Sequence, residues 1–554
     1  MPKLTPKDLD ILRAKSVVIK TTISVGLSSC GIAAGAEAAF AALGEEVKAR
    51  GLDISVRRVG CAGMCSMEPL VEVAVPGQPT VMYGSVTAED ARKIIAEHLV
   101  GGKIIKALQV QTVNELAVCA FGDNSKPAPA GGPKQYRIVM RNCGVIDPES
   151  FDEYVARDGY QAVKFALTDG SADAIIEQLR ISGLRGRGGA GFPTHMKWDL
   201  TRKATGEERF IICNADEGDP GAYMDRSVLE GDPHAVLEGM ILGGFTIGAK
   251  TGIFYIRAEY PLAIERVEKA IKQARANGLL GQNILGTTFC FDCEIRLGAG
   301  AFVCGEETAL IASVEGKRGT PRPRPPFPSV KGLWDQPTMI NNVETLANIA
   351  QIINRGGAWF AAIGIGRSTG TKVFAVTGKV KHSGLVEIPM GTTLREIVMD
   401  IGGGAAEGNV KAVQTGGPSG GMIPASLLDT PVTYEHLQQL GSIMGSGGMI
   451  VMDDRDSVVD LARFYLEFCV DESCGKCAPC RIGGTQMQRV LEKIVEGKGG
   501  EADVAVLRRI AQAMQKASLC ALGQTAPNPV LSAMKYFPEE FAARMQKSTP
   551  AAAV

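Results

Sequence analysis

The sequence predicts a multidomain α/β protein with a helical C-terminal region. Three observations carry that expectation. The chain has 554 residues, more than one hydrophobic core usually organises. Strand-like apolar runs alternate with helix-period segments as far as about residue 455, and helical patterning takes over after it. Cysteine, 14 residues in all, is gathered into tight groups rather than spread as in a small disulfide scaffold, which in an intracellular chain reads as metal binding.

Residues 1–110 are expected to form one small domain. "KSVVIKTTISV" reads as a strand, "AAGAEAAFAALGEEVKAR" as a helix and "LDISVRRV" as a second strand. "LVEVAVPGQPTVMYG" reads as two strands joined by a Pro-Gly turn, and "TAEDARKIIAEHL" as a helix with Thr87 as N-cap. That β-α-β-β-β-α order predicts a thioredoxin-like unit. Residues 111–140, with "GDNSKPAPAGGPKQ", read as a linker. Residues 141–365 read as a larger α/β domain with glycine-bearing loops. In it "RFIIC" and "TGIFYIRAEY" are strands, and a helix runs from about Ala263 to Asn277. Residues 366–455 read as a β-grasp (ubiquitin-like) unit with strands "TKVFAVTGKV" and "GLVEIP". Thr393 and Glu396 there form a capping box before "LREIVMDI". Residues 456–554 read as helical.

Composition excludes some classes. Lys plus Arg total 59 against 60 for Asp plus Glu, and no long basic tract occurs, so no nucleic-acid partner is expected. No apolar run is long enough to span a membrane, and "MPKLTPKDLD" lacks the layout of a signal peptide; a cytoplasmic location is expected.

"DESCGKCAPCR" places Cys474, Cys477 and Cys480 at two-residue gaps, with Cys520 the one cysteine downstream. Three clustered thiolates plus a remote fourth suit one cubic iron–sulfur cluster. Zinc is the rival, but zinc ribbons favour two separated Cys-x2-Cys pairs. A four-iron cluster moves single electrons, so something must supply them.

"SGLRGRGGAGFPTHMKW" carries Gly186, Gly188 and Gly191, which fit G-x-G-x-x-G. The segment before it reads as helix, so the dinucleotide fingerprint is not met. What remains is a loop whose amides can cradle a phosphate, with Arg187 and Lys197 adding positive charge. "CNADEGDPGAY" sets Asn214, Asp216, Glu217 and Asp219 at a strand end, where open sheets bind ligands. Glu306 and Glu307 open a helix, and "INNVET" adds Asn341, Asn342 and Thr345. Helix N-terminal charge accounts for the glutamates alone but not for the dense Asn/Asp groups.

These segments, in this order and together with "RPRPPFP" and "GAGAFVCGEETALIASVEGKRG", resemble the flavin-bearing, NADH-oxidising subunit of respiratory complex I. They resemble equally its relatives in NAD-linked hydrogenases and formate dehydrogenases, electron-bifurcating ones included. The resemblance covers about 140–545. It implies a Rossmann-like FMN domain, bound FMN and NAD(H), and one [4Fe–4S] cluster held by Cys474, Cys477, Cys480 and Cys520. It assigns Gly186, Arg187, Gly188, Lys197, Asn214, Asp216, Glu217, Glu306, Asn341, Asn342 and Thr345 to FMN. It assigns Phe192, Asp219, Glu307, Arg324 and Phe327 to NADH. Asp219 is shorter than the glutamate of some relatives, and Arg324 stands where lysine is frequent, keeping charge but not geometry. The implied activity is hydride exchange between NADH and FMN with single electrons passed to the cluster. No side chain is required as general acid or base, and His195 is expected to be structural.

The front domain resembles thioredoxin-like [2Fe–2S] ferredoxin domains, which use four cysteines. Here Cys30, Cys61 and Cys65 are present, and the fourth place holds serines, so Ser24 or Ser28 is a candidate oxygen ligand; a degenerate scaffold for assembly and three buried core thiols are the alternatives. Cys290 and Cys293 lack a second pair, and Cys119, Cys143, Cys213, Cys304 and Cys469 are expected in cores. The implied partners are other iron–sulfur subunits of a multi-subunit complex, including a small thioredoxin-like [2Fe–2S] subunit. The fused front domain favours a hydrogenase or formate dehydrogenase over complex I. A non-catalytic electron-transfer or assembly module and a zinc scaffold are the other readings.

Overall fold

The computed structural model describes residues 3–14, 20–110 and 135–545. In the front domain, strands β1 (Thr22–Gly26), β2 (Ser55–Val59), β3 (Val71–Ala74) and β4 (Val81–Tyr83) form one sheet in the order β2-β1-β3-β4. β1 pairs with β2 in parallel, and the other two pairings are antiparallel. Val71 and Val73 are buried and alternate with half-buried neighbours, as a one-sided strand requires. Helix Ala36–Ala49 lays Ala36, Ala39, Leu43 and Val47 on the sheet. Thr87 is the N-cap as expected, and Asp90 completes a capping box with it.

Two of the expected boundaries shift. Residues 3–14 do not join the front domain: Leu9 is buried in the core of the middle domain, and the Leu4 amide donates to the Asn277 carbonyl (3.0 Å). Leu4, Leu9 and Leu12 give this short helix an apolar stripe that needs a larger core than the front domain has. The segment read as linker ends early. Residues 111–134 lie outside the described residues, but the amides of Ile138, Val139 and Met140 all donate to the buried Glu387 carboxylate (2.8–3.0 Å), which also accepts from Thr371. Cys119 lies outside the described residues too.

The middle domain is built on four parallel strands, β5 (Phe210–Ala215), β6 (Thr251–Arg257), β7 (Asp292–Gly298) and β8 (Thr338–Asn342), in the order β7-β6-β5-β8. Strands buried on both faces read as apolar runs, and "FIIC" and "GIFYI" do. Helices Pro233–Ile247 and Val343–Arg355 are buried almost all round and pack against each other over the sheet. The next unit has a five-stranded mixed sheet: β9 (Thr371–Gly378), β10 (Gly384–Pro389), β11 (Val410–Thr415), β12 (Met422–Pro424) and β13 (Gly448–Asp453), in the order β10-β9-β13-β11-β12. Its central pair, β9 and β13, is parallel and the rest antiparallel. The Thr393–Glu396 box forms as expected. Helices Val458–Asp471, Gly484–Val495, Glu501–Ala517 and Asn528–Tyr536 then pack around Tyr465, Met487, Leu491, Leu507, Met514 and Val530. Among the described residues no helix is long and apolar enough to cross a membrane.

Candidate flavin–nucleotide cleft and cysteine sites

A parallel sheet presents its binding edge where the strands end. Here β5 ends into Asp216–Asp219, β7 into the loop before Glu306, and β8 at Asn341–Asn342. The glycine loop lies between helices Ala172–Ser182 and Thr194–Lys203, so it follows a helix, as expected. It crosses the end of β8 closely: a Cβ on Gly188 would stand 3.0 Å from Asn342 Cβ. Gly189 and Gly191 take positive φ (119° and 62°), a backbone that side chains rarely adopt. The Arg187 amide donates to Thr345 Oγ1 (2.9 Å), pinning the loop to the helix after β8.

The sequence-predicted residues divide into two sets. Several spend hydrogen-bonding groups on building the cleft. The Arg187 guanidinium, 1% exposed, is engaged on the carbonyls of Arg185, Thr369 and Thr371, so it is a staple to the unit with the five-stranded sheet and not the free positive charge expected from sequence. Glu217 accepts the amides of Met224, Asp225 and Arg226, capping the helix that starts there. Glu306 caps its own helix through the amides of Thr308 and Ala309. Asn342 caps the following helix through the Glu344 amide and bonds Asp225. Asn214 ties β5 to the Gly305 carbonyl (3.0 Å), and Asp219 accepts from Ser446 Oγ (2.7 Å).

The second set stays available. Asp216 has both carboxylate oxygens buried and without a hydrogen-bond partner, with Arg257 Nη1 3.7 Å away. Burial pushes its carboxyl up to about 7, against the pull of Arg257. Asn341 Oδ1 accepts from Trp198 Nε1 (2.9 Å), and no bond runs from its amino group. Glu307 lies between two cations, 2.8 Å from Arg324 and 3.4 Å from Lys197. Burial would raise the Glu307 carboxyl, but Lys197 and then Arg324 outweigh it and hold it below the ordinary range. Phe192 on the glycine loop and Phe327 on the loop of Arg324 are 43% and 52% exposed, apolar rings left in water.

Sequence reasoning missed Arg257, Trp198 and Tyr434, whose hydroxyl donates to the Gly186 carbonyl (2.8 Å). A charge ending the apolar strand "TGIFYIR" was the signal for Arg257. His195 Nδ1 is buried without a partner, and burial followed by Arg180 holds the ring below its ordinary pKa.

Cys474, Cys477, Cys480 and Cys520 meet as the spacing predicts. They line one small pocket with Val303, Pro321, Leu519 and Leu522. The Leu519 amide points at Cys477 Sγ (3.5 Å), and Ser473 Oγ lies 3.2 Å from Cys480 Sγ. Four thiols around one space, with donors aimed at sulfur, fit a four-iron cluster. The wall is shared with the cleft: Val303 lies on the loop ending at Glu306, and Glu472 accepts the Phe302 amide (2.8 Å).

The front-domain thiols also meet. The sulfurs of Cys30, Cys61 and Cys65 all lie within 4.8 Å of one another, and Tyr223 of the middle domain donates to Cys65 Sγ (3.6 Å). The Cys30 and Cys61 thiols pull Cys65 down to about 4. The expected serine ligands are engaged elsewhere, Ser24 by Arg57 and Ser28 by the Cys61 amide. Cys143, Cys213, Cys304 and Cys469 are buried singly, and Cys290 and Cys293 join no metal-holding group among the described residues.

The chain matches the Nuo51 FMN-binding domain over residues 179–351, the SLBB domain over 373–423 and the NADH-ubiquinone oxidoreductase-F iron-sulfur binding region over 460–544. It is 54% identical over 420 residues to the NADP-reducing hydrogenase subunit HndC of Solidesulfovibrio fructosivorans, covering 76% of this chain and 85% of that one. It belongs to the family of NADH-quinone oxidoreductase F subunits and their hydrogenase counterparts. The F subunit of the Escherichia coli NADH-quinone oxidoreductase is 41% identical over 418 residues, 75% of this chain and 94% of that protein. The crystal structure of an NAD+-reducing [NiFe]-hydrogenase in the H2-reduced state has a chain 31% identical, with a TM-score of 0.65, spanning 98% of this chain and 89% of that one. The chain is thus an oxidoreductase subunit with an FMN-binding domain and a four-iron cluster region, and the residues at both places suit those groups. Asp216 has two buried, unpartnered oxygens, which suit a hydroxyl-bearing ligand, and a side chain at Gly188 would crowd Asn342.

Proposed function

We propose that the chain exchanges hydride with NAD(H) through FMN and delivers single electrons to the Cys474/Cys477/Cys480/Cys520 cluster, as one subunit of an NAD-linked hydrogenase-type complex. The observation that carries this reading is the shared wall: the loop after β7 borders the cleft at Glu306 and the cluster cavity at Val303. Bound FMN supplies the conversion of one hydride into two separate electrons. The protein holds the parts in place. The Gly188 amide receives phosphate, Asp216 and the Asn341 amide receive hydroxyl and ring-edge groups, and Lys197 adds charge. Arg187, Asn214, Glu217, Glu306, Asn342 and Thr345 fix the loops that carry these groups. Glu307, Arg324, Phe192 and Phe327 bind NAD(H), the rings against the nicotinamide and the carboxylate on a ribose; Asp219 fixes the neighbouring loop. The hydrogenase setting rests on the higher identity to HndC than to the Escherichia coli protein and on a hydrogenase chain matching almost the full length, front domain included. Partners are then other iron–sulfur subunits of that complex.

The test uses the full chain purified anaerobically. It should hold about one FMN and reduce a viologen dye with NADH. Glu307→Gln should keep the flavin and raise the KM for NADH about 10- to 100-fold, the loss of one or two charged hydrogen bonds. A flavin-free chain that leaves the dye oxidised would overturn the reading.

A further inference from the structure

A [2Fe–2S] cluster needs four protein ligands, and the front domain shows three sulfurs. The oxygen donors around them sort into two kinds. Ser24 Oγ accepts from Arg57 Nε (3.1 Å), Ser28 Oγ accepts from the Cys61 amide (2.9 Å), and Ser29 Oγ donates to Glu230 (2.5 Å). Each hydroxyl is fixed by a bond that turning toward iron would break. Glu68 differs. It is the third residue after Cys65, it is 8% exposed, and its Oε2 accepts the Leu70 amide (2.9 Å) while Oε1 is buried without a hydrogen-bond partner. A buried carboxylate oxygen left unpaired is costly, about 1–3 kcal/mol or more, so a chain that keeps one has a use for it.

The carboxyl also packs against the segment that carries Cys30. It lies against Gly31, the residue that follows Cys30, where a Cβ would stand 3.1 Å from Oε2. It lies against Gly26 at the end of β1, where a Cβ would stand 3.2 Å from both oxygens. Gly26 leaves the carboxyl its space, and at Gly31 the Gly26 carbonyl is the nearer barrier to a Cβ. Tyr223 and the Gly63 amide (3.3 Å from Cys61 Sγ) donate to the sulfurs, as donors do around iron–sulfur clusters. A non-thiolate ligand on one iron is chemically sound, since imidazole serves in Rieske centres.

The geometry points to a [2Fe–2S] cluster ligated by Cys30, Cys61, Cys65 and the Glu68 carboxylate. This site is separate from the flavin cleft and does not depend on the function proposed above.

The experiment takes the full chain, purified anaerobically from cells fed the Mössbauer isotope of iron, beside Glu68→Gln and Glu68→Cys. The wild-type chain should hold about six irons, four plus two. It should give an EPR signal that persists at temperatures where four-iron signals have broadened away. One iron of the pair should show a Mössbauer shift outside the tetrathiolate range. Glu68→Cys should keep about six irons and bring that site to the tetrathiolate value. Glu68→Gln should fall to about four irons with FMN content unchanged. Four irons in the wild-type chain, two tetrathiolate irons in its pair, or an unaltered two-iron signal in Glu68→Gln would each overturn the assignment. If Glu68→Gln does not fold, the wild-type Mössbauer spectrum decides alone. FMN content and the four-iron count report separately on the flavoprotein reading.

Discussion

The two cysteine sites of this chain are held in different ways. The C-terminal four line one small pocket among packed helices, walled by Val303, Pro321 and Leu522. The front three have closed to within 4.8 Å of each other at a junction of domains, between Tyr223 of the middle domain and β10, whose Leu385 amide donates to Gly63 (2.8 Å). One site is therefore defined by local spacing on a rigid scaffold, the other by tertiary docking. Changes in the helical region should touch only the first, and changes at the junction only the second.

The largest effect expected is Cys477→Ala, which should remove about four irons per chain and leave those of the front domain, read by iron analysis and EPR. Loss of both groups would mean that the sites are not independent. Glu387→Ala comes next. It strips a buried carboxylate from three amides and Thr371 and should cost about 3–5 kcal/mol in urea denaturation. Because Glu387 shares β10 with Leu385, the variant should lose front-domain iron before C-terminal iron.

The cleft between the two sites supplies a pH test. Asp216 is raised from 3.8 to about 7 by burial, so the folded chain holds a proton that the unfolded chain releases. Stability of the flavin-free protein should then fall as pH rises from about 4 to about 7. Asp216→Asn should remove roughly 2–4 kcal/mol of that slope, measured by thermal melts across pH. The smallest effect is Tyr223→Phe. Losing its bond to Cys65 should cost about 0.5–1.5 kcal/mol and lower the potential of the front cluster alone.

Much of this was legible in the sequence, for identifiable reasons. Strands such as "GIFYI" are buried on both faces and read as apolar runs, and the Cys474–Cys480 spacing is local, so both survive folding unchanged. What sequence could not give was the direction of polar side chains. Arg187 and Glu217 sit in the right loops but spend their groups on carbonyls and amides of neighbouring elements. Glu68 carries no signal in the sequence, and only burial beside Gly26 and Gly31 singles it out. Residues 3–14 read as the start of the front domain because nothing local says which core their leucines enter.

The central claim is that cleft and cluster cavity work as one electron path through a shared wall. The direct measurement is an anaerobic NADH titration of the full chain, followed by flavin absorbance and EPR together. The account predicts that flavin bleaches and the four-iron signal appears in the same titration, and that Cys477→Ala bleaches without that signal. NADH that bleaches the flavin of the wild-type chain while the four-iron cluster stays oxidised, although dithionite reduces it, would contradict the account.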